Sequence, residues 1–77
     1  MIYVIATLKI RPGTRDAVAA AAQSAIEGTR KEEGCLLYDL HASVTDPERM
    51  VFVEQWTDRE ALAKHLKAPH LAGSVSV

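Results

Sequence analysis

The stretch that decides the fold is E-R-M-V-F-V-E-Q-W-T-D-R-E-A-L-A-K-H-L-K-A-P-H, Glu48 to His70. Met50 to Trp56 is aromatic, β-branched or long and apolar except at Glu54 and Gln55, which predicts a strand. A period of two puts Met50, Phe52, Glu54 and Trp56 on one face and Val51, Val53 and Gln55 on the other. Thr57 and Glu60 then stand at the spacing of a capping box, so a helix is expected to begin at once. Along it Leu62, His65 and Leu66 fall on one side, and Pro69 stops it, because the residue before a proline is driven out of the helical region. A carboxylate, an indole and two imidazoles are thereby delivered close to one helix–sheet junction.

Working toward the N-terminus, Cys35 to Val44 reads as a second strand, in which Leu36, Tyr38, Leu40 and Ala42 alternate with Cys35, Leu37, Asp39 and His41. Thr45-Asp46-Pro47-Glu48 is turn chemistry, so the two strands should form an antiparallel hairpin of unfixed register. In one possible register Asp39 lies across from Glu54. Before this comes a helix from Thr14, a possible cap, to about Glu32. Val18, Ala21, Ala22, Ala25, Ile26 and Thr29 recur along it at helical spacing, and Gly34 is a natural C-terminal cap. The chain opens with a strand, Ile2 to Ile10, apolar on nearly both sides in its first half and therefore expected to be central in a sheet. Beyond His70 the pattern fades into Leu71–Val77, either a short helix or a stub of strand.

The order strand, helix, strand, strand, helix predicts an α+β fold, a ferredoxin-like split βαβ sandwich with its fourth strand reduced or missing, forming one domain over residues 1–77. Both helices should cover one face of the sheet. The other face carries Val51 and Val53 with some of Tyr3, Ile5, Leu36 and Leu40, more apolar surface than a monomer normally exposes. A second copy of the chain is the economical cover, which predicts a homodimer.

Composition excludes several classes. Seventy-seven residues with a formal charge of −1 and no basic stretch argue against nucleic acid or an anionic membrane as partner. The apolar run Ile2 to Leu8 is too short to span a bilayer and has no basic leader. Cys35 is the single cysteine, so an internal disulfide and a thiolate zinc cluster are both excluded, and a reducing cytoplasm is expected. His65 and His70 are five residues apart with Pro69 between them, which does not place both on one helical face, so no metal is expected.

The P-G before a long helix, G-C-L-L-Y-D-L, the D-P turn, F-V-E-Q-W and L-A-K-H-L-K-A-P-H together resemble the antibiotic biosynthesis monooxygenase domain, over nearly the whole chain. That resemblance implies a dimeric α/β barrel whose two sheets pack face to face. It also implies a pocket between sheet and helices, and oxygenation of phenolic or quinol-like substrates without metal, flavin or other cofactor. The chain contains no asparagine, which several catalytic members place in the pocket.

On this reading Phe52, Trp56 and Leu62 form apolar walls, Trp56 stacking on a small aromatic molecule, and His65 is the base. Glu54 and His70 complete the candidate substrate contacts. Each has a plainer reading as well. Trp56 is equally a core residue, His65 a histidine satisfied by a backbone carbonyl, and His70 a turn residue. Glu54 is favoured as an ion pair or hydrogen bond fixing the junction, because a buried carboxylate requires a partner. Tyr38 reads as sheet packing, Cys35 as an inert thiol and His41 as a surface residue. The rival functions are a non-catalytic dimeric module that binds a small ligand, and an isomerase or decarboxylase on the same fold.

Overall fold

The computed structural model describes residues 1–67. It contains β1 (Ile2–Lys9), α1 (Arg15–Arg30), β2 (Cys35–Ala42), β3 (Arg49–Trp56) and α2 (Arg59–Leu66). The three strands form one sheet in the order β1-β3-β2, antiparallel at both seams. α1 therefore connects two strands that run the same way, and β3 is inserted between them, the split arrangement expected from the sequence. The central strand of the described residues is β3, and β1 stands at one edge. The face of β1 that carries Ile2, Val4, Ala6 and Leu8 lies under the helices and the other is bare, and whether β1 is central depends on the fourth strand, which falls outside the described residues. His70 and Leu71–Val77, on which the readings of the last turn and of the fourth strand depend, lie outside the described residues.

The alternation read along β3 is obeyed: Met50, Phe52, Glu54 and Trp56 are buried, and Val51, Val53 and Gln55 are partly exposed. α1 lays Val18, Ala22, Ala25 and Thr29 on that buried face. The small side chains at 22 and 25 let the helix approach the sheet closely. Ala21, expected on the same stripe, is exposed. The main core consists of Ala22, Tyr38, Phe52 and Trp56, with Val4, Ala6, Ile26, Ala61 and Leu62 packed around it. A smaller cluster of Ile10, Val18 and Met50 closes the far end.

The hairpin register puts Tyr38 opposite Glu54 and Asp39 opposite Val53, so Asp39 lies on the other face from Glu54. A bulge between Cys35 and Leu37 breaks the simple alternation. Cys35 pairs with Trp56, Leu37 with Gln55, and Leu36 is 52% exposed. Leu40 packs on both core clusters, so it belongs to the helix-covered face rather than to the bare one. β2 also ends earlier than its sequence suggests. The Ser43 hydroxyl accepts from the backbone N–H groups of Thr45 (3.2 Å) and Asp46 (3.0 Å), turning the chain out of the ladder.

Helix ends differ from expectation in three places. Thr14 sits at the N-cap position of α1, but its hydroxyl donates to the Arg11 carbonyl instead of accepting from the helix. Asp58, not Thr57, caps α2: its carboxylate accepts from the Ala61 N–H at 2.8 Å. α1 ends at Arg30, so Gly34 is not its cap. Gly34 instead takes φ +87° in the loop, and its carbonyl accepts from the Thr57 N–H at 2.9 Å, joining the loop before β2 to the start of α2. Leu66, expected inward, is 67% exposed, because α2 turns only Ala61, Leu62 and His65 toward the sheet. Among the described residues no helix is long and apolar enough to cross a membrane.

Candidate functional site

β3 and α2 meet at Trp56-Thr57-Asp58. The extended β3 presents Glu54 and Trp56 two residues apart on the same face, and the Trp56 indole N–H donates to Glu54 Oε1 at 2.9 Å. Trp56 is 0% exposed and Glu54 5%. Two turns along α2, His65 reaches back over this pair and is 2% exposed. Its ring lies 4.6 Å from the Trp56 ring, centroid to centroid, and tilted by 34°. Tyr38 meets the same imidazole edge-on at 5.2 Å and stacks on Phe52 at 5.0 Å. Three aromatic rings and one imidazole thus form a continuous layer between the sheet and the helices, with Leu62 packed at its margin.

The polar atoms of this layer are held by carboxylates from two elements. His65 Nδ1 is 2.9 Å from Glu32 Oε2, whereas His65 Nε2 is 3.9 Å from Glu54 Oε1. The first distance is a hydrogen bond; the second is only an electrostatic approach. Glu32 lies in the loop that follows α1, at 20% side-chain exposure. Among the described residues no buried side-chain nitrogen or oxygen is left without a hydrogen bond. Thr29, from α1, is hydrogen-bonded to Tyr38. The Tyr38 phenol is pushed up to about 12, first by burial and then by the nearby carboxylates Glu54 and Glu32. Burial is also the main cause that raises the Cys35 thiol, followed by Glu32 and Glu54, which leaves it protonated and unreactive.

The structure therefore brings together Phe52, Glu54, Trp56, Leu62 and His65 and leaves His70 undescribed. Glu54 does fix the junction, through the indole of Trp56. His65 has a carboxylate partner, Glu32, at Nδ1. His41 is exposed, as expected, and pairs with Asp39 at 3.2 Å on the strand surface. Glu32 was not singled out by the sequence. Its only signal is a pair of carboxylates in K-E-E-G, immediately before the glycine that anchors the loop to α2.

Among the described residues, depressions adjoin the site on two sides. One, of about 140 Å³, is lined by Glu33, Gly34, Thr57, Asp58, Glu60, Ala61 and Lys64. The other, of about 220 Å³, lies beside the bulge and touches Arg30, Cys35 and Tyr38. Neither includes Trp56 or His65, which are packed against each other. Among the described residues no group of three or more His, Cys, Asp or Glu is arranged to hold a metal ion.

The antibiotic biosynthesis monooxygenase family matches residues 1–75. The chain belongs to that family. Among the relatives is the Bacillus subtilis protein named "Putative monooxygenase YcnE", 34% identical over 99% of this chain and 80% of its own length. The Escherichia coli protein named "Probable quinol monooxygenase YgiN" is 36% identical over 92% of this chain and 78% of its own. A crystal structure described as an antibiotic biosynthesis monooxygenase superposes with a TM-score of 0.86 at 40% identity, covering 97% of this chain and 79% of that one. The Mycobacterium tuberculosis protein Rv0793 superposes with a TM-score of 0.81 at 36% identity, covering 94% and 72%. Family membership thus agrees with the ferredoxin-like α+β architecture.

Proposed function

We propose that this chain is a cofactor-independent monooxygenase that oxidises a small phenolic or quinol-like molecule with O2. The observation that carries the reading is the buried His65 imidazole, 4.6 Å from the Trp56 ring and flanked by carboxylates in an otherwise aromatic layer. Its relatives' names, a quinol monooxygenase among them, point the same way.

Oxygenation without a cofactor requires a substrate that gives its own electrons to oxygen. Deprotonating a phenol or quinol supplies an electron-rich anion, and the protein's part is to orient it, desolvate it and take the proton. Phe52, Trp56 and Leu62 are the apolar walls, and His65 is the base. One oxygen atom ends on the substrate carbon and the other leaves as water, while the substrate loses two hydrogens. Trp56 and His65 are 0% and 2% exposed, so a substrate reaches them only when the packing over this layer opens. Glu54 keeps the indole in place, and His70 is a further candidate contact.

The active form on this reading is a homodimer in a cytoplasmic setting. Tyr3 and Ile5, 67% and 65% exposed, continue the bare sheet face of Val51 and Val53, which a second sheet would cover. The rival reading is a dimeric small-ligand-binding module. It is favoured by the close packing of the aromatic layer and by the lack of asparagine.

The test is oxygen uptake by metal-stripped protein on a panel of hydroquinones and anthrones. His65→Gln keeps volume and hydrogen bonding but removes the base. Turnover that is lost in His65→Gln supports the proposal. A panel that binds without turnover transfers support to the binding module, and unchanged turnover in His65→Gln removes His65 as the base.

A further inference from the structure

From the two carboxylates near His65, we infer that Glu32 is the positioning residue of the site: it fixes the imidazole as its Nδ1–H tautomer and thereby makes Nε2 the basic nitrogen. The inference rests on the reading of His65 as the base, and it deepens that reading by saying which atom acts and what sets it.

Glu54 is the more buried carboxylate, it lies on the same strand face as Trp56, and it would be chosen from sequence as the partner of the ring. The distances decide otherwise. Glu32 Oε2 is 2.9 Å from Nδ1, while Glu54 Oε1 is 3.9 Å from Nε2 and already accepts from the Trp56 indole. A carboxylate can only accept, so the nitrogen at 2.9 Å must carry the hydrogen. In the neutral ring the lone pair is then on Nε2, the nitrogen on the Glu54 side. Among the described residues, the titratable groups shown facing the imidazole are Glu32 after α1, Tyr38 on β2 and Glu54 on β3.

The consequence for the reaction follows from the direction of proton flow. When a substrate hydroxyl gives up its proton, the O–H bond breaks, an Nε2–H bond forms, and the electron pair stays on the substrate oxygen. The ring becomes an imidazolium whose Nδ1–H already points at the Glu32 carboxylate, so the new charge is met without rearrangement. The proton returns when oxygen is reduced to water, and the ring ends the cycle neutral. A carboxylate that orients a histidine base in this manner acts through tautomer and orientation, without itself becoming protonated.

The decisive experiment is long-range proton–nitrogen correlation NMR of the ring nitrogens, on the ¹⁵N-labelled chain at a pH where His65 is neutral. The expected result is a protonated Nδ1 and an unprotonated Nε2 in the wild type. Glu32→Ala should release the preference and move signal toward the Nε2–H form, and Glu32→Asp should restore it in part. A wild-type ring protonated on Nε2 overturns the inference without any variant. So does a folded Glu32→Ala that keeps Nδ1–H. With a turned-over quinol in hand, Glu32→Gln should lower kcat by about 100-fold or more with KM little changed. An unchanged kcat and pH profile in Glu32→Gln would also overturn it. If the tautomer is as expected but no quinol is oxidised, the oxygenase reading fails while the assignment of the ring stands.

Discussion

Gly13 and Gly34 both adopt positive φ, at 75° and 87°, but only one of them is crowded, and the pair offers a controlled test of how α2 is anchored. A methyl group at Gly13 would meet nothing within 4 Å. At Gly34 it would run into the Ala61 side chain and would come within 2.7 Å of Thr57 Oγ1. Gly13→Ala therefore carries only the conformational cost of a left-handed residue with a side chain, about 1–2 kcal/mol. Gly34→Ala carries the same cost and must also force α2 outward, a further 1–3 kcal/mol or so for overpacking. The total of about 2–5 kcal/mol is a large share of the roughly 4–12 kcal/mol expected for a domain of this length. Thermal unfolding followed by circular dichroism should give Gly34→Ala a Tm at least about 4 °C below that of Gly13→Ala. Ala61→Gly in the Gly34→Ala background removes the obstructing methyl and should recover part of the loss, a favourable coupling between the two sites. Equal destabilisation by the two glycine variants, or no recovery in the double variant, would refute the contact between the loop and α2. The contact matters for the site because Glu32 is two residues before Gly34, and α2 carries His65.

The remaining expectations concern the core and the bare face. Tyr38, whose phenol is raised to about 12 from an ordinary 10, stabilises the fold fully below pH 10, and that contribution is lost as pH rises toward 12. Thermal melts across this window should show a falling Tm that Tyr38→Phe flattens, and an equal slope in the variant would contradict the assignment. Glu54→Ala leaves the Trp56 indole N–H buried with no acceptor at Glu54, at a cost of about 1–3 kcal/mol in urea unfolding. Loss of less than about 0.5 kcal/mol would mean that another acceptor takes over. Val53→Glu puts a second carboxylate beside Asp39 on the bare sheet face and should convert a dimer to monomer in sedimentation velocity. A wild type that stays monomeric at high concentration would remove the dimer altogether.

What the sequence revealed depended on whether periodicity carried the information. β3 and its two faces were legible because eight residues alternate without interruption and continue into a capped helix. The hairpin register was not, because it is set by a loop longer than two residues that puts Asp39 opposite Val53, and the bulge at Cys35/Leu37 then turns Leu36 out, an inserted residue that alternation cannot announce. β1 read as central because both faces of its first half are apolar, and among the described residues it pairs with β3 alone. Around the site, Phe52, Glu54, Trp56 and His65 were visible as chemistry-bearing residues at regular spacing. Glu32 was not, since it belongs to a loop and approaches His65 across 33 positions of sequence, a closure that no local pattern encodes. The cap of α2 was misplaced by one residue because Thr57 and Asp58 are both competent caps, and the Asp58 carboxylate is the one that accepts from the Ala61 N–H.

The central claim, that a substrate is oxygenated by O2 through this aromatic layer with no cofactor, is tested most directly by isotope labelling. Metal-stripped protein is given a hydroquinone or anthrone under ¹⁸O2, and the product is weighed by mass spectrometry. The account predicts one ¹⁸O atom per product molecule in the wild type and loss of that labelled product in His65→Gln. Product without ¹⁸O, or equal labelling by wild type and His65→Gln, would contradict it.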